Sequence, residues 1–171
     1  MNIIKSIYIT FTFLVLLSGC ASTTVSSFVD PEYATEKYSR PIVWGKIAPL
    51  EDRQRLENGI VKNFRNKGVN AIPGTQVFPP TRDITKEFIA SALVKSGGDS
   101  LFIVSLKTGS NLYHMEYEAT LYGNKIHKVW VGSVVTELQQ AGVSNSQSND
   151  VVFESTAEEI VNKIITDGVI Q

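Results

Sequence analysis

The sequence predicts one mixed α/β domain, a sheet of about five strands carrying three helices, with a C-terminal β-hairpin followed by a helix. Three observations point to it. Strand-like and helix-like patterns alternate between Ile42 and Leu106, and such alternation favours right-handed parallel crossovers. Two β-rich runs flank Gly123-Asn124, a two-residue turn signal. An amphipathic segment then ends at Gly168. With 43% apolar and 19% charged residues in 171, the chain can bury a single ordinary core.

Ile42–Ala48 is β-branched and aromatic and stops at Pro49, so it reads as the first strand. A helix is expected over Asp52–Lys67, with Leu56, Ile60, Val61 and Phe64 on one stripe and Gly68 as its left-handed stop. Val69–Ile72 is a short second strand with Pro73-Gly74 turning out of it. Val77-Phe78-Pro79-Pro80 cannot continue a ladder, because neither proline donates an N–H. A second helix is expected from a cap at Asp83, burying Ile84, Phe88, Ile89, Ala92 and Leu93 and ending at Gly97-Gly98. Ser100–Leu106 is almost continuously apolar, as in a strand covered on both faces.

In the hairpin from Leu112 to Leu138, a Gly123-Asn124 loop sets Tyr122 opposite Lys125. Tyr117 then faces Trp130 and Met115 faces Gly132, on a core side. His114, Glu116, Glu118, Thr120 and His127 share the other, polar side. Gln139–Val152 is polar, low-complexity sequence expected as a loop. The last helix carries a capping box, Ser155 with Glu158, and an inner stripe of Ala157, Ile160, Val161, Ile164 and Ile165.

Charge excludes two partner classes. The formal net charge is −1 and the 16 basic residues form no run, so there is neither a track for nucleic acid nor a polybasic patch for anionic lipid. Cys20 is the only cysteine. The body beyond it therefore has no disulfide, thiol nucleophile or thiolate metal site.

The N-terminus has three parts: a positive start with Lys5, an apolar run from Ile7 to Leu17, and Leu17-Ser18-Gly19-Cys20. The apolar run is too short to span a bilayer and suits a signal peptide. Its Leu-Ser-Gly-Cys ending resembles the bacterial lipobox. That resemblance implies cleavage between Gly19 and Cys20, diacylglycerol on the Cys20 thiol and acylation of the new amine. Ala21 after the cysteine, where aspartate would retain the protein at the inner membrane, implies the outer membrane. The expected organisation is a signal peptide at 1–19, a lipidated N-terminus and Ser/Thr-rich tether at 20–40, and a periplasmic domain at 41–171. About 20 flexible residues reach ~25 Å.

Little in the body suggests catalysis. In the derived register His114 and His127 lie ~20 Å apart, too far for one metal or proton relay. No His-x-His or His-Glu-x-x-His spacing occurs. Glu116 and Glu118 stand ~7 Å apart, a spacing that would suit a glycosidase pair, but side by side on a strand instead of across a cleft. No Gly-x-Ser-x-Gly elbow is present, and Gly97-Gly98 follows a helix where a phosphate loop would open one. Partner binding fits better, through a Phe78-Pro79-Pro80 knob or through β-augmentation on a hairpin edge.

Arg55-Leu56-Glu57 through Gly68-Val69, Gly98–Val104 and Lys128-Val129-Trp130-Val131-Gly132 resemble small envelope lipoproteins with a compact α/β domain. The resemblance extends to the N-terminal domain of the Tol-system β-propeller protein and to the lipoprotein activators of penicillin-binding proteins. It spans most of residues 41–168 and implies protein binding, with no catalytic residues to carry over. A tether of about 20 residues is too short to cross peptidoglycan as those activators do. The expectation is a non-enzymatic, lipid-anchored scaffold, adaptor or assembly factor with an envelope protein partner and no cofactor. The rivals are a small hydrolase of cell-wall glycans using Glu116, Glu118 and a histidine, and a carrier of a small hydrophobe.

Overall fold

The computed structural model describes residues 21–107, 110, 111, 113–138 and 145–171. The expected signal peptide, with Gly19 and Cys20, lies outside them. Six strands form one sheet: β1 (Ala21–Val29), β2 (Pro41–Lys46), β3 (Ile72–Pro73), β4 (Ser100–Leu106), β5 (His114–Gly123) and β6 (Lys128–Leu138). Their order is β1-β6-β5-β4-β2-β3. β2 runs parallel to β3 and β4, and the remaining pairs are antiparallel. The helices are α1 (Leu50–Asn66), α2 (Lys86–Ser96) and α3 (Asn145–Thr166). Mixed α/β architecture is therefore as the sequence predicts, with one strand more.

The added strand corrects the tether. Residues 21–29 do not hang free; they pair along β6 from Ala21 opposite Leu138 to Val29 opposite Trp130. Their burial alternates, with Thr23, Val25, Ser27 and Val29 half-buried and Ser22, Thr24, Ser26 and Phe28 exposed. Hydroxyls on the inner side find partners. The Thr23 Oγ1 lies 2.9 Å from that of Thr136 and 2.7 Å from Ser155 Oγ, and Ser27 donates to Asp167 at 2.6 Å. A Ser/Thr-rich composition that resembles a linker is here a strand, because β-branched threonine suits the pleat and its hydroxyl bonds inward.

One face of the sheet carries the main core. Leu56, Ile60 and Phe64 of α1 and Ala157, Ile160 and Ile164 of α3 close over Phe102, Tyr117, Leu121, Trp130 and Val134. The other face is covered at one side only, where Phe78, Ile89 and Leu93 pack on Ile42 and Leu101. Phe78 is fully buried, which corrects the exposed knob. Pro79 is half-buried and Pro80 exposed, but the aromatic ring faces the core, 5.2 Å from Trp44.

Two caps move. α2 begins after Thr85, whose Oγ1 accepts from Phe88 N at 3.2 Å, so Thr85 replaces the expected Asp83. Gly97 ends that helix at φ +68°, as expected. α3 starts ten residues before the expected capping box, within the segment expected as a loop, because Val152 and Phe153 extend the buried stripe by another turn. Ser155 then lies inside the helix and bonds Thr23 instead of a backbone amide.

The hairpin register also shifts. Leu121 pairs with Trp130, Ala119 with Gly132 and Tyr117 with Val134, four residues from the expected alignment. The connection is longer, with Ile126 at φ +61° and a bulge at Leu121/Tyr122. Gly123 serves packing: a Cβ there would stand 2.6 Å from the His127 ring, against the Tyr38 hydroxyl. Gly132 leaves room for the Trp130 indole, two of whose atoms would be 3.0 Å from a Cβ. An even shift keeps Tyr117 and Leu121 on the core face and Glu116, Glu118 and Thr120 on the other, whereas beyond the bulge Val129 turns into the main core and Ile126 to the second face.

A buried ion pair joins β2, α1 and the Phe78 loop. Glu57, fully buried, accepts from Arg53 Nε at 2.8 Å and Gly45 N at 3.0 Å through one oxygen, and from Thr75 N at 2.7 Å through the other. Arg53 also donates to Phe78 O at 3.3 Å. Gly74 fits this corner because a Cβ would sit 2.5 Å from Val43 O.

Candidate functional site

Beyond the cover of α2, the second face of β5, β6 and β1 has no helix on it among the described residues. Its composition follows from strand pairing. Trp44, Ile103, Thr120, Val131 and Phe28 stand in register across five strands. Phe28, at the open end of this rung, is 63% exposed. The next rung is polar: Lys46, Ser105, Glu118, Ser133 and Ser26. Glu116, Val135 and Thr24 follow, then His114, Glu137 and Ser22. The result is a flat surface, apolar along one line and rich in hydroxyls and carboxylates beside it. Among the described residues β1 also leaves one edge unpaired, a template for strand addition.

The histidines lie at opposite ends of β5 and each meets a carboxylate. His114 Nε2 is 3.1 Å from Glu116 Oε1, and its Nδ1 is 3.6 Å from Glu137. Lys107 Nζ is 3.8 Å from Glu116. The hydrogen bond with Glu116 holds the His114 imidazole above its ordinary pKa, and the same bond holds Glu116 below the usual carboxylate range. His127 stacks on Tyr33 at 4.0 Å between ring centres, with its Nε2 3.2 Å from Glu36.

This arrangement argues against the glycosidase reading. A general acid needs a raised carboxyl pKa and a cleft, whereas Glu116 is held ionised and Glu118 projects from the same strand into solvent. Among the described residues no group of three or more His, Cys, Asp or Glu is placed to hold a metal ion. The grooves among the described residues lie elsewhere. One of about 560 Å³ runs between α1 and α3, lined by Arg55, Asn58, Lys62, Asn63, Phe153 and Glu154. Another, about 480 Å³, lies beside α2 at Arg82 and Phe88. Both are open to solvent and lined by a mixture of polar and apolar groups, unlike the enclosed apolar cavity a hydrophobe carrier needs.

Asp167 secures β1 behind the open face. Its Oδ2 accepts from Ser27 at 2.6 Å and from the Trp130 indole N–H at 2.7 Å, while Lys163 pairs with Oδ1. Burial raises its pKa, but the bonds from Lys163, Ser27 and Trp130 outweigh burial and hold it below the usual value. A group lowered on folding stabilises above its unfolded pKa of about 4 and loses that contribution as pH falls through the folded value. Asp167→Asn should therefore lower the thermal midpoint at pH 7 by more than at pH 3. An equal loss at both pH values would show that charge at Asp167 is immaterial.

The fold and this surface define a class: a small mixed α/β domain with two helices on one face of its sheet and the other face half covered by a third. The sequence matches no protein-family model and no curated protein. Similarity emerges from structure. PelC of Paraburkholderia phytofirmans, solved as a dodecamer, superposes with a TM-score of 0.52 at 10% identity, covering 88% of this chain and 99% of that one. Lipoprotein GNA1162 of Neisseria meningitidis gives 0.47 at 13% identity, over 74% and 96%. TolB of Acinetobacter baumannii gives 0.39 at 12% identity, over 86% of this chain and 31% of its own. A Tol-system protein and an envelope lipoprotein, both anticipated from the sequence, are thus among the structural neighbours.

Of the residues singled out in the sequence, Gly19 and Cys20 lie outside the described residues, and Phe78 serves the core. The element missed is β1, where β-branched Thr23, Thr24, Val25 and Val29 were the one local hint of a strand.

Proposed function

We propose that this chain is a lipoprotein anchored through Cys20 to the outer membrane, facing the periplasm, and that it works by binding an envelope protein on its half-open sheet. The observation that carries the reading is the rung from Trp44 to Phe28, a line across five paired strands that is apolar except at Thr120 and has its end exposed. Apolar contact flanked by hydroxyls and carboxylates is the anatomy of a protein interface. No cofactor enters this reading. A second occupant, another copy of the chain, is favoured by the dodecameric state of PelC.

Photo-crosslinking in cells tests this. A crosslinker at Phe28 or Glu118 should give one reproducible protein adduct, and one at Lys62, on the helical side, should not. The adduct's mass separates a partner from a second copy. Adducts at Lys62 alone, or at none of these positions, would overturn the proposal.

A further inference from the structure

β1 pairs from its first residue, so no free chain separates the sheet from Cys20. Ala21 is held opposite Leu138, and Leu138 N donates to Tyr113 O at 3.1 Å. Consecutive Cα atoms are 3.8 Å apart and neighbouring strands about 4.8 Å. Tyr113 therefore lies within ~10 Å of Ala21 along the same end of the sheet. It is 55% exposed, one of few large apolar side chains in solvent. The charges beside it offset one another, since His114 faces Glu137 at 3.6 Å and Glu116 faces Lys107 at 3.8 Å.

Resting on the lipid-anchor reading, we infer that Tyr113 is a second membrane contact, its ring seated among the lipid headgroups beside the acylated Cys20. Tyrosine favours that depth because its ring is apolar and its hydroxyl wet. Two contacts at one end stand the sheet upright on the bilayer. Nine residues of β1 then place Phe28 and the hairpin tip ~25–30 Å out. The open face points sideways along the membrane, toward neighbours in the same leaflet.

The test uses the full lipidated chain in phosphatidylethanolamine–phosphatidylglycerol vesicles. Acylation occupies the only native thiol, so single cysteines at Tyr113 or Asn124 take a fluorophore uniquely. Nitroxide headgroup lipids should quench the position-113 label at least about threefold more than the position-124 label. With the label at 124, Tyr113→Asp should increase energy transfer to a lipid-surface acceptor as the domain tilts over. Equal weak quenching, or transfer indifferent to Tyr113→Asp, in protein that sediments with the vesicles would overturn the contact. Failure of the anchor itself looks different: a labelable Cys20 and protein that stays in the supernatant.

Discussion

Glu57→Ala is expected to destabilise the domain by about 3–5 kcal/mol, the cost of stranding one partner of a buried ion pair. The substitution leaves Arg53 unpaired in the interior and strips acceptors from Gly45 N and Thr75 N. At roughly 2–4 °C per kcal/mol for a domain of this size, the thermal midpoint should fall on the order of 10 °C. Circular dichroism on heating measures it. Glu57→Gln, which keeps one carbonyl oxygen to accept an amide and the contact volume of the side chain, should lose less. The double change Arg53→Met with Glu57→Leu should recover much of the loss, because apolar replacement of a buried pair is often neutral. A midpoint unchanged in Glu57→Ala would refute the account. The consequence reaches the open face, since the same corner holds Phe78 against Trp44, where the apolar rung begins.

Removing β1 should be as costly. A chain beginning at Pro31 loses hydroxyl contacts of Thr23 and Ser27 and the partial burial of Val25 and Val29. At about 1 kcal/mol for each hydrogen bond and up to ~1.5 kcal/mol for each valine, the loss is on the order of 5 kcal/mol. β6 would also become an exposed edge of eleven residues, a hazard for aggregation. Amide exchange along β6 and the thermal midpoint report it. Were residues 21–30 a tether, both would be unchanged. Under the proposed lipid anchor at Cys20 the two readings also differ in where the domain works: a tether would let it wander ~25 Å, whereas a strand starting at Ala21 would hold it against the membrane surface.

The open face was partly legible before any coordinates. Period-two alternation put Glu116, Glu118 and Thr120 on one side of β5 and Tyr117 and Leu121 on the other, and a register error of four residues did not disturb that. Phe28 could not be assigned to the same surface, because membership depends on β1 pairing with β6, more than a hundred residues away. Phe78 shows the opposite limit. An aromatic beside two prolines reads equally as a knob or a plug, and the space between α2 and β2 made it a plug.

By itself the sequence determined the local facts: the helical stripes of α1 and α3, the stops at Gly68, Gly97 and Gly168, the hydrophobic β4, and the two faces of the hairpin. Each follows from periodicity or backbone freedom within a few residues. Tertiary structure alone decided the rest. Glu57 looks like any surface carboxylate on a helix until Gly45, Arg53 and Thr75 converge on it. Ser and Thr between residues 21 and 29 look like linker until Thr136, Ser155 and Asp167 supply partners for them. In both cases polar side chains take their role from groups distant in sequence, and no local pattern encodes which of them will be buried.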